Sequence, residues 1–212
     1  MMQYNFIAIE GTIGAGKTSL ATRISNDYNA KLILEQFEDN AFLPKFYEDQ
    51  DKYAFPLEMS FMASRFQQLK DQLGMFDLFK SFIISDYYIM KSLIFARKTL
   101  PEDELALFTR YFNFISASLP KPDLLVYLYL DVEKLQKNIR LRGRSYEQQI
   151  QDDYLYRIQE GYFEFIRQQK DMRILILDTN SIDFVHQDDD YHNIIDIINQ
   201  PYDIGVHRIA IS

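Results

Sequence analysis

The chain has 212 residues, 47% hydrophobic and 25% charged, with a formal net charge of −8 and no cysteine. That length supports one α/β domain with a sizeable core. The composition excludes disulfides, thiolate metal sites and a cysteine nucleophile, and the acidic balance argues against a nucleic-acid coat. No apolar run approaches the ~20 residues that span a bilayer, and Met1-Met2-Gln3-Tyr4-Asn5 lacks a basic leader pattern, so a cytoplasmic protein without a membrane partner is expected.

In chain order, the apolar run Ile7-Ala8-Ile9 leads through Glu10 into Gly11-Thr12-Ile13-Gly14-Ala15-Gly16-Lys17-Thr18, a G-x-x-x-x-G-K-T pattern. Leu20, Ile24 and Tyr28 then predict a helix, so the motif has the strand, loop and helix context that it requires. Its glycines let successive N–H groups turn toward an anion at a helix N-terminus. Lys17 would reach the outer phosphates of ATP, and the Thr18 hydroxyl would ligate Mg2+.

Lys31-Leu32-Ile33-Leu34-Glu35 reads as a buried strand ending in an acid. In an open parallel sheet, ligands gather at the carboxyl ends of strands. Glu35 is therefore a candidate general base, with a solvated strand-end carboxylate as the alternative. Asp39 to Gly74 is expected to be helical in two pieces, broken near Asp51 to Pro56, with Pro56 in the first turn of the second piece. Glu58 and Arg65, seven apart, share nearly one helix face and by themselves read as surface charge.

Ser81 to Asp86 is a further buried-type strand ending in an acid, followed by a helical stretch from Tyr87 to Ala96. Asp86 would face the Mg2+ or cap a helix. A helix over Pro101–Ser118 and a strand over Leu124–Leu130 come next. A helix over Asp131–Arg144 then places Arg140, Arg142 and Arg144 near its end. These arginines complement the helix dipole, and they also suit a clamp for phosphate oxygens. A longer helix over Tyr146–Lys170, a strand over Arg173–Asp178 and a helix over Tyr191–Ile198 complete the pattern. Ser181 to Asp190 reads as an acidic loop, and His186, His192 and His207 as surface residues. The stretch from Pro201 onward has no placement. Strands that alternate with helices and read as uninterrupted apolar runs imply a parallel sheet covered on both faces.

Together the phosphate loop, Glu35, Asn40 to Tyr47, Leu57 to Phe61 with Arg65, and Arg142-Gly143-Arg144 with Glu147 resemble the deoxynucleoside kinase family from about Phe6 to Asp178. More narrowly they resemble the bacterial deoxyguanosine and deoxyadenosine kinases. The resemblance implies a single domain over residues 1–212 with a P-loop NTPase-like fold. It would have a five-stranded parallel sheet, helices on both faces, an arginine-bearing lid at about 140–150 and an unassigned tail at 200–212. It implies ATP-dependent phosphorylation of a deoxynucleoside 5′-hydroxyl with Glu35 as base. Tyr47 and Glu147 would hold the 3′-hydroxyl and Phe95 would stack on the base, while Arg140, Arg142 and Arg144 would close on the phosphates. A homodimer is implied as well.

Two departures stand out. Many members carry an arginine after the third strand where this chain reads Asp86-Tyr87-Tyr88, and Lys91 is a candidate substitute. Many also carry glutamine at position 58. An ionised Glu58 only accepts hydrogen bonds, which suits the two donors of guanine, with Arg65 meeting O6 or N7. Deoxyguanosine is therefore expected ahead of deoxyadenosine. The alternatives are a thymidylate-kinase-type nucleoside monophosphate kinase, which would need a second phosphate cradle near Glu35, and a non-catalytic nucleotide switch.

Overall fold

A computed structural model describes residues 2–36, 40–75 and 77–211. Its elements are β1 (Phe6–Gly11), α1 (Lys17–Asp27), β2 (Lys31–Ile33), α2 (Leu43–Glu48), α3 (Gln50–Leu73), β3 (Ile83–Ser85), α4 (Met90–Thr99) and α5 (Glu102–Ser116). They continue with β4 (Leu124–Tyr129), α6 (Val132–Arg142), a 3-10 turn (Ser145–Glu147), α7 (Asp152–Gln168), β5 (Arg173–Asp178), α8 (Asp188–Ile198) and β6 (Gly205–Ala210).

The strands form one sheet in the order β2-β3-β1-β4-β5-β6. Every described pairing is parallel. Successive strand side chains point to opposite faces, yet all of β1 and nearly all of β4 are buried. Both faces must therefore be covered, as the continuous apolar runs predict. Ile7, Ile9, Leu124, Val126, Leu175 and Leu177 form the centre of the core. Because all strands run one way, the segments after β1, β2, β3, β4 and β5 emerge at a single edge.

The sheet has six strands rather than five. The stretch after Pro201 supplies β6, paired with β5 from Arg173↔Gly205 to Asp178↔Ala210. His207 and Arg208 interrupt its apolar run, and the strand alternates between half-buried and exposed. An edge strand covered on one side carries a weak hydrophobic signal.

The helix break also moves. It falls at Asp49, whose side chain accepts a hydrogen bond from the Lys52 N–H as an N-cap, and Pro56 sits inside α3. Cap chemistry at Asp49 sets the boundary in place of the proline. Asp39, the expected start of this helical segment, lies outside the described residues. The Tyr87 stretch enters its helix only at Met90, and the Tyr146 stretch begins with the 3-10 turn and becomes α-helical at Asp152. Helix α6 stops at Arg142, where Gly143 adopts φ 74° and leaves Arg144 beyond the helix. A left-handed glycine after the last turn is a common helix stop.

Candidate active site

At the end of β1 the chain turns through the glycine-rich loop. Gly14 has φ 89° and Gly16 has φ 88°. An added Cβ on Gly14 would lie 2.8 Å from the Leu135 carbonyl, and one on Gly16 would lie 2.7 Å from Phe184 Cζ. Both positions thus require glycine for backbone angle and for close approach. The loop is tied down by the Ala15 N–H donating to the Thr12 carbonyl at 3.1 Å, and by the Asn138 side chain donating to the Gly14 carbonyl at 2.9 Å. Lys17 opens α1 and folds back to donate to the Thr12 carbonyl at 3.1 Å. Desolvation within the loop, with repulsion from Lys91, lowers its ammonium to about 8. A bound polyphosphate would raise it again, because an adjacent anion favours the charged form.

The strand-end acids meet at this loop. The Thr18 hydroxyl donates to Asp86 Oδ2 at 2.5 Å, while Asp86 Oδ1 accepts from the Glu35 N–H at 2.7 Å. Glu35 lies two residues past the end of β2. Its Oε1 accepts from Arg65 Nε at 2.8 Å, and its Oε2 accepts from Lys91 Nζ at 2.5 Å. Burial would raise this carboxyl, but Lys91 and then Arg65 overcome it and bring Glu35 down to about 2. The residue is ionised across any physiological pH. Lys91 pairs with Glu35 and is itself 6% exposed. Among the described residues no group of three or more His, Cys, Asp or Glu could hold a metal ion. Thr18 and Asp86 are nevertheless the hard oxygen donors that suit a magnesium ion completed by phosphates and water.

A cleft of about 2140 Å³ runs along this edge. One end is lined by Glu35, Asn40, Phe42, Ser60, Ser64 and Gln68, and the other by α6 and the segment from Thr179 to His186. Glu58 and Arg65 are not surface charges: they are 2% and 4% exposed. The helix face that they share is turned toward α4, where Thr99 Oγ1 lies 3.3 Å from Glu58 Oε1 and the Ser92 hydroxyl accepts from Arg65 at 2.8 Å. The Arg65 guanidinium is thus engaged by Glu35 and Ser92, rather than first by a base edge. Phe95 is buried edge-on to Tyr162, with ring centroids 6.4 Å apart. Tyr47 packs against Tyr146, next to Glu147. Of the sequence-predicted acceptor residues, Glu35 and Asp86 line the cleft, while Tyr47, Glu58, Arg65, Phe95 and Glu147 stand on α2, α3, α4 and the 3-10 turn without lining it.

The arginines are only partly as expected. Arg140, Arg142 and Arg144 all line the cleft. Glu147, 6% exposed, holds Arg142 in an ion pair and Arg144 at 3.3 Å. Arg142 and Arg144 are thus latched to the residue expected at the sugar. The three histidines stay peripheral: His186 pairs with Asp183 at the rim, His207 lies 3.0 Å from the Asp203 carbonyl, and His192 packs on Tyr191.

Three features escaped the sequence reading. Lys134 and Lys137 line the cleft about two turns and one turn before Arg140, an i, i+3 spacing that could have marked a basic helix face. Phe184 packs on Gly16, and its carbonyl accepts from Arg23 at 3.4 Å. Only its aromatic character within an acidic loop hinted at that contact. Glu10 is buried beneath the loop, accepting from the Tyr88 N–H at 2.6 Å and the Tyr162 hydroxyl at 2.8 Å. Burial raises its carboxyl, with Lys91 and Lys17 opposing. An acid inside the apolar run of β1 was its signal.

The chain is similar to known proteins over most of its length. A family model described as deoxynucleoside kinase matches residues 7–202. The deoxyguanosine kinase of Bacillus subtilis (strain 168) is 37% identical over 193 residues, covering 89% of this chain and 93% of that protein. A deoxyguanosine kinase of Lactobacillus johnsonii is 30% identical over 202 residues, covering 91% and 90%. A solved structure of deoxyadenosine kinase from M. mycoides, with dCMP and a flexible dCDP bound, matches with TM-score 0.79 at 25% identity over 92% of this chain and 98% of that one.

Proposed function

The chain belongs to the deoxynucleoside kinase family, and from that premise we propose that it moves the γ-phosphoryl group of ATP to the 5′-hydroxyl of a purine 2′-deoxynucleoside. Deoxyguanosine is the preferred acceptor and deoxyadenosine the second, in nucleotide salvage in the cytoplasm. The observation that carries this reading is Glu35, its carboxylate fixed by Arg65 and Lys91 and its backbone N–H bonded to the Asp86 carboxylate that also accepts from Thr18 at the mouth of the glycine loop.

In this reading the loop N–H groups and Lys17 hold the donor phosphates. A magnesium ion held by Thr18 and Asp86 would neutralise charge on their oxygens when bound. Glu35 orients the 5′-hydroxyl along the line of attack. A carboxylate held near 2 is a weak base, so it receives the proton late, once bonding to phosphorus has made that oxygen acidic. Tyr47 and Glu147 take the 3′-hydroxyl, Phe95 the base face and Glu58 the base edge. Arg140, Arg142 and Arg144 neutralise the transferring group. Most of the catalysis is positioning and electrostatics.

A homodimer is part of the same proposal. Leu107, Tyr111 and Phe114 are exposed on α5, apolar surface that a second copy would cover. No helix among the described residues is long and apolar enough to cross a membrane.

The test is initial-rate phosphorylation with magnesium-ATP across the four deoxynucleosides, with Glu35→Gln alongside. The expected result is turnover led by deoxyguanosine, with kcat lower by about 10²-fold or more in the variant. Turnover of nucleoside monophosphates in place of nucleosides would refute the reading.

A further inference from the structure

Glu10 has no part in the reaction proposed above, yet it is 2% exposed and lies directly before Gly11, where the glycine loop begins. On one side of β1 the ladder with β4 runs through Glu10 to Gly11↔Leu128. On the other side the ladder with β3 ends at Ala8↔Ser85. Past that point the Glu10 side chain takes over from the backbone, its Oε1 accepting from the Tyr88 N–H at 2.6 Å. A buried N–H needs an acceptor, and here a side chain of the neighbouring strand supplies it. Oε2 accepts from the Tyr162 hydroxyl of α7 at 2.8 Å, so the carboxyl is held at both oxygens.

Tyr88 stands in the connector between β3 and α4. Asp86, two residues earlier, accepts from Thr18 and from the Glu35 N–H, and its own N–H donates to the Ile33 carbonyl of β2 at 3.1 Å. Lys91, three residues later, donates its N–H to the Tyr88 carbonyl at 3.0 Å and its ammonium to Glu35. A chain of hydrogen bonds thus runs from Glu10 through Tyr88 and Lys91 to the Glu35 carboxylate. Counter-charge is the other use of a buried carboxyl, and Lys91 and Lys17 do favour its charged form. Their ammonium groups are directed elsewhere, however, Lys17 to the Thr12 carbonyl and Lys91 to Glu35.

We propose that Glu10 is a positioning residue for phosphoryl transfer, whose hydrogen bonds to Tyr88 and Tyr162 set the glycine loop against the connector that carries Asp86 and Lys91 and, through them, against Glu35. This rests on the kinase reading above. Donor phosphates and acceptor base are held by separate parts of the chain, and Glu10 fixes one relative to the other from beneath the site. The property that matters is the reach of its side chain to the Tyr88 N–H, with its charge secondary. A misplacement of ~1 Å between reacting groups costs about 10²-fold in rate, so the alignment is worth a dedicated buried contact.

The test crosses two variants. Glu10→Gln removes the charge but keeps the reach: its carbonyl oxygen accepts from the Tyr88 N–H and its amide donates to the Tyr162 oxygen. Glu10→Asp keeps the charge but shortens the side chain by one methylene, ~1.5 Å. Initial rates are measured with magnesium-ATP and whichever deoxynucleoside the wild-type protein turns over fastest, and ATP affinity by calorimetry. Turnover should stay within about threefold of wild type in Glu10→Gln and fall about 10²-fold in Glu10→Asp. ATP affinity and nucleoside KM should stay within about threefold in both, the pattern of an alignment lost only in the transition state.

Impaired turnover in Glu10→Gln assigns Glu10 to charge and overturns the proposal. So do wild-type kcat values in both variants, or a loss of ATP affinity that tracks the loss of kcat. If either variant does not fold, Tyr162→Phe decides. It frees Oε2 and keeps the ring edge-on to Phe95, so kcat should fall about tenfold with ATP affinity kept, and an unchanged kcat overturns the proposal. Wild-type turnover of deoxynucleosides in the same assay tests the kinase reading separately.

Discussion

Lys91→Met removes the ammonium from Glu35 and keeps an apolar stem where the lysine is 6% exposed. In the intact site Glu35 lies at about 2, down from an ordinary 4.5, because Lys91 and then Arg65 outweigh a burial that acts the other way. At ~1.4 kcal/mol per pH unit, that net fall corresponds to about 3 kcal/mol that the two cations supply beyond the cost of burial. Removing one partner of a buried pair costs about 3–5 kcal/mol when nothing replaces it. Arg65 remains, so the expected loss is about 2 kcal/mol near neutral pH. The folded-state value lies below the unfolded one, so this stabilisation is fully present above about pH 4.5 and is lost as pH falls toward 2. Equilibrium urea unfolding of both proteins, with chelator and without nucleotide, should give a gap of about 2 kcal/mol near pH 7 that narrows in acid. A gap below about 0.5 kcal/mol, the range of ordinary surface changes, would refute the pairing. So would a gap that does not narrow on acidification.

Gly16→Ala forces a side chain onto a residue at φ 88° and 2.7 Å from Phe184 Cζ. ATP affinity, read by calorimetry, should fall at least about tenfold, and unchanged affinity would remove the loop from donor binding. Glu147→Gln weakens the latch on Arg142 and Arg144 and the proposed 3′-hydroxyl contact. The nucleoside KM should rise at least about tenfold with little change in that for ATP, and the reverse pattern would refute the sugar role. Ending the chain after Asp203 deletes β6 and bares the edge of β5. A lower melting temperature and concentration-dependent aggregation should follow, and wild-type melting with a single species would show that β6 is dispensable.

The glycine loop was legible because its chemistry is local. Gly14 and Gly16 occupy left-handed angles that few other residues tolerate, and the strand before them and the helix after them follow from short-range patterning. The central strands were legible for a related reason: buried on both faces, they read as unbroken apolar runs. The edge strand was not, since His207 and Arg208 sit where only one face needs cover. Pro56 misled because a proline is a strong breaker in isolation, whereas the Asp49 cap and the packing of Leu57, Phe61 and Met62 hold α3 continuous through it.

The sequence by itself determined the glycine-rich loop, the delivery of Glu35 and Asp86 to the ends of strands, and, through spacing, the helix face that Glu58 and Arg65 share. Those properties depend on backbone angles, alternation and chain order, all of which are written within short windows. Only the tertiary structure decided the state in which those residues stand. Spacing put Glu58 and Arg65 on one helix face, and packing turned that face inward, where Arg65 clamps Glu35 and Thr99 Oγ1 lies 3.3 Å from Glu58 Oε1. Burial raises the Glu58 carboxyl, while Lys91 and Arg65 outweigh burial at Glu35, and those partners come together from distant segments that no local pattern encodes.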